Sequence, residues 1–299
     1  MKKLIYLLLT LPLLFTSCQN DEQVVSEETV QVSFTAGLPQ QMGTRASSTT
    51  PSVDKLYCAV FENGVEIQSF RQEIDITSQN MVFAPRLIKG RTYNIAFWAS
   101  KDGAYNVSNM EEITRNTGVE EENFDAFTAC TSITVEGNAS QSITLHRPLA
   151  QLNLGVTPED WEGVANQYTF GMIPKNITLT IEGKDTFNAL QSVATGIDRS
   201  LTYNLTVSGA EFTCNGETYK NIAMCYVLAE SEKQTNNVSY SIYDQDGDAI
   251  QENASIIHVP LQQNYKTNVV GGLLTGNITY SISFDDVFLT DNDHNKEIE

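Results

Sequence analysis

Basic residues are scarce in this chain, and their scarcity excludes several kinds of partner. The 299 residues include 18 Lys and Arg against 37 Asp and Glu, which gives a net charge of −19. A surface this negative repels the phosphates of nucleic acids and the headgroups of anionic lipids. We therefore expect no nucleic-acid partner and no membrane binding through a basic patch.

Sequence motifs for catalysis or metal binding are also lacking. The patterns H-E-x-x-H, G-x-S-x-G, G-x-x-x-x-G-K and G-x-G-x-x-G do not occur, and no two cysteines form a C-x-x-C pair. The three histidines, His146, His258 and His294, are far apart in the sequence. The chain therefore offers no recognisable nucleophile, phosphate-binding loop or zinc site. We predict a protein that is not an enzyme and holds neither a metal nor a cofactor.

Long apolar runs are absent except at the N-terminus. Lys2 and Lys3 precede an apolar run over residues 4–15, which is too short to span a bilayer and predicts a signal peptide over residues 1–17. The small residues that follow, Thr16-Ser17-Cys18, resemble the lipobox of bacterial lipoproteins. This resemblance implies that Cys18 becomes a lipidated first residue. The alternative is ordinary signal-peptide cleavage that leaves Cys18 as a free thiol. Because no aspartate follows Cys18 directly, we expect an outer-membrane anchor.

From residue 29 onward the apolar residues recur with a period of two. Such alternation places one apolar face on a β-strand, and the first example is residues 29–36. Its apolar residues are Val30, Val32, Phe34 and Ala36. The Ser/Thr-rich residues 40–52 that follow predict an exposed loop.

Strand-like runs and turn signals fill the rest of the chain. Asn63-Gly64, Asn215-Gly216 and Asp246-Gly247 predict hairpin turns, because these residues accept a positive φ. Thr157 followed by Pro158 predicts the start of one short helix, and the polar residues 110–123 are a candidate for a second.

The segment His146-Arg147-Pro148 interrupts the strand pattern, and we interpret it as a hinge between two domains. The chain is thus predicted to be all-β. We expect two β-sandwich domains of the transthyretin-like or Greek-key type, over residues 54–147 and 148–299, with one or two short helices.

Four features have a structural explanation that competes with a functional one. Residues 244–248 resemble the start of a calcium loop, but strands flank them, and a hairpin turn explains them better. Cys58 and Cys225 lie in apolar runs and are expected to be buried. Trp98 also lies in an apolar run and predicts core packing, whereas Trp161 remains a candidate platform for stacking sugars.

Three further segments together resemble the fimbrillins, the subunits of type V pili. They are Gly43-Thr44-Arg45-Ala46 in the predicted loop, residues 147–152 (RPLAQL) and residues 263–269 (QNYKTNV). These segments follow one another along the chain in the order and spacing of the family, so the resemblance extends over the whole chain. The overall likeness is to fimbrillin-like lipoproteins, which implies a structural or adhesive subunit of a cell-surface pilus.

The resemblance also implies a route of maturation. Residues 18–53 would form a lipidated segment with a removable edge strand, and an Arg-specific protease would cut between Arg45 and Ala46. The strand that carries Val30, Val32, Phe34 and Ala36 would then leave, and a strand from another pilus subunit would replace it. The family places this donor strand at the C-terminus, where the alternating apolar residues are Ile278, Tyr280, Ile282 and Phe284. The alternative is that this run is a permanent strand of its own domain.

Two other functions remain open at this stage. A monomeric surface lipoprotein could bind glycans for nutrient uptake through sandwich loops and Trp161. A hydrolase would need a pocket with paired carboxylates. As a pilus subunit, the protein would be a stalk, a tip or an anchor.

Overall fold

Strands make up most of the structure, and the all-β prediction is confirmed. The computed structural model describes residues 27–39, 53–166, 171–275 and 278–285. In these residues no helix has the length and apolar character needed to cross a bilayer. The predicted signal peptide, Cys18, Arg45 and Ala46 lie outside the described residues.

Where the structure describes the first half, it shows two short 3-10 helices, at Gln68–Phe70 and Glu121–Phe124. Its strands are β1 (Thr29–Gly37), β2 (Lys55–Glu62), β3 (Val65–Glu66), β4 (Gln72–Asp75), β5 (Asn80–Phe83), β6 (Arg86–Ile88), β7 (Thr92–Ser100), β8 (Tyr105–Asn106), β9 (Ile113–Arg115), β10 (Ala126–Thr134) and β11 (Ala139–Thr144).

In the described residues of the second half there is one α-helix, α1 (Pro158–Ala165). As predicted, Thr157 caps this helix, and its hydroxyl accepts a hydrogen bond from the Asp160 amide at 3.1 Å. The strands are β12 (Leu149–Val156), β13 (Pro174–Gly183), β14 (Thr186–Asn188), β15 (Val193–Thr195), β16 (Arg199–Thr206), β17 (Glu211–Cys214), β18 (Glu217–Leu228), β19 (Gln234–Asp244), β20 (Ala249–Leu261), β21 (Lys266–Gly272) and β22 (Thr279–Asp285).

The predicted Asn-Gly turns form where expected. Asn63 and Gly64 join β2 to β3 with φ values of 52° and 79°. Asn215 and Gly216 join β17 to β18 with φ values of 51° and 81°. Positive φ at both central residues matches the twist of the flanking strands, which is why this dipeptide predicts a hairpin so well.

Each half of the chain has its own apolar core between two sheets. In the first half, a sheet with the order β11-β1-β5, in which β6 also pairs with β1, packs on a sheet with the order β10-β7-β2-β3, in which β4 pairs with β2. In the second half the orders are β17-β18-β12-β21-β22 and β16-β13-β19-β20. The side chains of alternate residues fill both cores, as period-two patterning requires.

A fifth sheet joins the two halves. Its order is β15-β14-β9-β8, so that β9 of the first half pairs with β14 of the second through Thr114 and Thr186 and through Ile113 and Phe187. A third apolar cluster lies at this junction and includes the fully buried Trp98. The prediction that Trp98 packs in a core is therefore confirmed.

Arg115 and Glu121 hold the backbone of the second half at the same junction. Arg115 donates from Nη1 to the Tyr226 carbonyl at 3.1 Å, and Glu121 accepts from the Tyr226 amide at 3.0 Å. The two side chains also form an ion pair with each other. Burial raises the pKa of Glu121, although Arg115 opposes this shift. This clasp fixes β18 against the first half by charge-assisted hydrogen bonds.

The segment interpreted as a hinge is held in place by a buried ion pair. Arg147 is 1% exposed, and its Nε and Nη2 donate to the two carboxylate oxygens of Asp125 at 2.5 and 2.8 Å. The guanidinium also lies 4.6 Å from the ring centre of Phe127. Burial by itself would lower the pKa of Arg147, but the Asp125 charge reverses the effect and raises it. The predicted domain boundary at residue 147 thus falls on an anchored residue.

We predict that Asp125→Asn lowers the free energy of unfolding by about 3–5 kcal/mol, because it leaves the Arg147 charge buried without its partner. Chemical denaturation followed by tryptophan fluorescence measures this change. The matched control is Glu73→Gln, which removes an exposed carboxylate from its ion pair with Lys55 and should leave the midpoint nearly unchanged. Equal shifts for the two variants would show that the Arg147–Asp125 pair is not a special source of stability.

Candidate functional site

Strand β1 fills a slot between other strands of the first half. It runs parallel to β11, with Val32 opposite Ala139 and Gly37 opposite Thr144. On its other side it runs antiparallel to β5 and β6. We call the space between β11 and these two strands the β1 slot. The expectation of an edge strand was wrong, since β1 has neighbours on both sides.

The apolar face of β1 points into the core of the first half. Val32, Phe34 and Ala36 are fully buried, whereas Val30 is only half-buried at the end of the slot. The Phe34 ring lies 6.3 Å from that of Phe83 and 6.2 Å from that of Phe97. Phe34 therefore reaches from its own sheet to β7 of the facing sheet. Burial of a side chain of this size contributes about 1.5–3 kcal/mol.

Polar contacts close the N-terminal end of the slot. Glu28 forms an ion pair with Lys89 at 3.0 Å, and Glu27 forms one with Arg91. The Gln31 amide donates to Oδ1 of Asn138 at 3.0 Å. Because the two ion pairs are exposed, they fix the register of β1 more than they stabilise it.

At the other end of the slot, β1 carries small residues. Ala36 has no exposed surface, and a Cβ added at Gly37 would lie 3.0 Å from Oδ1 of Asn80. The Gly37 carbonyl accepts a hydrogen bond from the Leu145 amide at 2.8 Å. A strand that occupies this slot must therefore carry a large apolar residue in the middle and small residues at its C-terminal end.

The candidate donor residues lie at an edge of the second half. β22 pairs only with β21 among the described strands, and Lys266 lies opposite Asp285. Ile278, Tyr280 and Ile282 are partly buried and pack against the core of the second half. Phe284 stacks on Tyr265 with ring centres 4.6 Å apart. In this structure the run is thus a strand of its own half.

Polar side chains tie β22 to its neighbour. Nδ2 of Asn268 donates to Ser283 Oγ at 3.2 Å and to Asp285 Oδ2 at 3.4 Å. Ser283 is fully buried and Asp285 is 7% exposed. Alternation along this run predicts an outward-facing Ser283, because the residue is polar. The hydrogen-bond partner of Ser283, Asn268, lies on β21. Nothing in the sequence of residues 279–285 alone could therefore have indicated that Ser283 is buried.

The other candidate residues fall into structural roles. Asp244 lies in a tight turn and accepts the amides of Asp246 and Asp248 at 2.9 and 2.8 Å, which supports the hairpin interpretation. Trp161 is partly buried, and its ring packs over Gly209. Cys58 and Cys225 are fully buried, as expected, and burial raises the pKa of both thiols. Within the part of the chain that the structure describes, no three His, Cys, Asp or Glu side chains form a metal-binding group.

A family model matches residues 21–299, which is nearly the whole chain. Its description is "Family of unknown function (DUF6562)". The chain belongs to the DUF6562 family. No curated protein matches this DUF6562 chain in sequence.

Solved structures share the fold of the DUF6562 chain at low sequence identity. A candidate polysaccharide-binding protein (DUF1812) from Bacteroides thetaiotaomicron has a TM-score of 0.51 and 12% identity, over 89% of this chain and all of its own. A candidate adhesin from Bacteroides ovatus has a TM-score of 0.51 and 10% identity, over 85% and 92% of the two chains. The tip fimbrial protein Mfa3 of Porphyromonas gingivalis, truncated at its C-terminus, has a TM-score of 0.51 and 11% identity, over 87% and 100%. At these identities the likeness shows the fold.

We predict that Phe34→Ala destabilises the first half by about 3–5 kcal/mol, because it leaves a cavity between the two sheets that Phe34 joins. Thermal unfolding of the purified protein measures the change. The control is Gln31→Ala on the same strand, which removes an exposed side chain and keeps the backbone pairing. A Phe34→Ala protein as stable as the control would mean that β1 contributes little to the core.

Proposed function

We propose that this protein is a structural or adhesive subunit of a cell-surface pilus. It is exported as a lipoprotein through Cys18, matured by cleavage between Arg45 and Ala46, and assembled by exchange of a β-strand. The observation that carries this proposal is the position of β1. It is the first described strand of the chain, and it fills a slot in the middle of a sheet.

The position of Arg45 in the sequence determines which part of the protein the cleavage would separate. β1 ends at Gly37 and β2 begins at Lys55, so Arg45 lies between them. Cleavage there separates β1 covalently from the rest of the protein, while its hydrogen bonds and core contacts still hold it. The lipid on Cys18 would stay with the removed piece, and the remaining protein would leave the outer membrane unless another subunit retained it.

If β1 left and nothing took its place, the empty slot would raise the free energy of the protein. This cost supports replacement of β1 by another strand over its simple loss. Without β1, the facing edges of β11, β5 and β6 would expose unpaired amides and carbonyls, together with the apolar floor around Phe83 and Phe97. A strand from a second subunit satisfies both needs at once by β-augmentation. We therefore expect displacement of β1 by an incoming strand of another pilus subunit.

The donor remains the C-terminal run with Ile278, Tyr280, Ile282 and Phe284, and its use carries two costs. It must first leave β21 and the Asn268 side chain. It also lacks the small residue that the buried Ala36 position favours, and overpacking costs about 1–3 kcal/mol. An edge strand nevertheless leaves its own sheet at a lower cost than a central one, because it is paired on one side.

The fold supports a surface role, because the structures that share it include a tip fimbrial protein and a candidate adhesin. The alternative, a monomeric lipoprotein that binds glycans for nutrient uptake through Trp161, has less support since that ring packs against Gly209. The two functions differ in the oligomeric state after cleavage.

We predict that an Arg-specific protease converts the precursor to a form that begins at Ala46 and builds a ladder of oligomers. Arg45→Lys should resist this protease and stay monomeric. A Lys-specific protease should then cut the variant after the substituted residue and restore the ladder. N-terminal sequencing and gel electrophoresis without boiling measure both results.

The matched control for this experiment is Arg199→Lys, which makes the same change at an exposed residue of β16, in the second half and away from the β1 slot. It should be cut at Arg45 and assemble like the natural protein. A protein that is cut at Arg45 and remains monomeric, or that retains residues 18–45 in every oligomer, would contradict assembly by this route.

A further inference from the structure

A second feature of the structure, unrelated to the β1 slot, is an open polar cleft where the two halves meet. Its volume is about 650 Å³, and both halves contribute to its wall. The lining residues from the first half lie in β8, in β9 and between them, and those of the second half lie in β14 and β15 or directly after it. They include Asn106, Glu111, Glu112, Thr114, Asn188 and Thr195.

The cleft has a rigid base. β9 pairs with β14 through Thr114 and Thr186, and β14 pairs with β15 through Thr186 and Thr195. The neighbouring residues Ile113 and Phe187 are buried in the apolar cluster beneath. A site built on paired strands holds its side chains more precisely than one built on loops alone.

Three asparagines in the cleft have their amide oxygens fixed by backbone amides. Asn188 is 7% exposed, and its Oδ1 accepts from the Gln191 amide at 2.9 Å. Oδ1 of Asn106 accepts from the Ser108 amide at 3.1 Å, and Oδ1 of Asn109 accepts from the Glu111 amide at 2.9 Å. With the oxygens turned to the backbone, the amide nitrogens of Asn106 and Asn188 are the groups left to donate to a ligand.

Acceptors and hydroxyls complete the lining. Glu111 and Glu112 supply carboxylate oxygens, and Thr114 and Thr195 supply hydroxyls that both donate and accept. The carboxylates disfavour a phosphorylated or otherwise anionic ligand. The amide oxygens already accept hydrogen bonds, which disfavours a metal ion. Among the described residues of the lining there is no aliphatic or aromatic side chain, which disfavours an apolar ligand.

We propose that this cleft binds a neutral polyhydroxylated ligand, a mono- or disaccharide unit of a glycan. Each sugar hydroxyl donates one hydrogen bond and accepts others, and the cleft offers fixed groups of both kinds. Because no aromatic ring of the described lining stacks on the sugar, the affinity rests on hydrogen bonds and is weak, with a Kd on the order of 1 mM. The site does not depend on cleavage at Arg45, so it serves a pilus subunit and a monomer alike.

The test measures binding of the uncut full-length protein to galactose, mannose, glucose and N-acetylglucosamine, each by saturation-transfer NMR, and to a glycan array. We expect binding of at least one of these sugars and of array glycans that contain it. Asn188→Asp keeps an acceptor for the Gln191 amide and replaces the donor with a charged acceptor. It should weaken binding by about tenfold or more, which corresponds to the loss of one good hydrogen bond.

Two further variants separate loss of the site from loss of the fold. Thr195→Val removes one hydroxyl at nearly constant volume and should also weaken binding. Asn176→Asp makes the same charge change at an exposed position of β13 and should bind like the natural protein. Unfolding temperatures of all variants establish that they are folded.

The proposal is overturned if no sugar and no array glycan binds, or if binding is unchanged in both Asn188→Asp and Thr195→Val. Binding of calcium chloride or inorganic phosphate in place of the sugars would overturn it as well. The oligomeric state after Arg45 cleavage is measured separately, so either proposal can fail without the other.

Discussion

Every strand pairing in the first sheet runs through β1. β11 lies on one side, β5 and β6 lie on the other, and among the described residues these strands pair with β1 and not across the slot. The same strand places Phe34 between the two sheets of the core. A segment near the N-terminus therefore holds together strands that are distant from it in sequence. The stability of the first half depends on that slot being filled, whichever chain provides the strand.

The need for a strand in the β1 slot also affects the second half, because the two halves are joined. The sheet that contains β9 and β14, together with the Arg115–Glu121 clasp on Tyr226, connects the core of the first half to that of the second. Hydrogen bonds, charge and apolar packing coincide at the junction, and such combinations resist relative motion of domains better than a small polar contact does. A strand that binds in the β1 slot is thus attached to a two-part body, and the cleft at the junction keeps its shape.

Local sequence determined much of the fold. Alternation identified β1, the Asn-Gly pairs located hairpins, and Thr157 with Pro158 located the helix, because each of these signals arises from residues close together in the chain. The edge position expected for β1 was wrong because pairing partners are distant in sequence. The same reason explains why the Arg147–Asp125 pair, the burial of Ser283 and the cleft at β9 and β14 were not predicted. β9 and β14 are also only three residues long, too short to show a period.

The two strands of the proposed exchange differ in how they are held. β1 is paired on both sides and buries its apolar face completely at three positions, whereas β22 is paired on one side and keeps its apolar residues half-buried. The turn before β22 is nevertheless fixed, since Asp160 accepts hydrogen bonds from the amides of Leu273 and Leu274 at 2.7 and 2.8 Å. The Thr275 hydroxyl also donates to Asp160 at 2.7 Å, so release of β22 would leave the chain up to Thr275 in place. Exchange thus exposes a limited edge on the donor, whereas the acceptor slot is filled both before and after it, first by β1 and then by the donor strand. Buried surface on the acceptor therefore gives the exchange no direction, and the proposed cleavage at Arg45 would supply it, because the detached β1 segment is then free to leave for good.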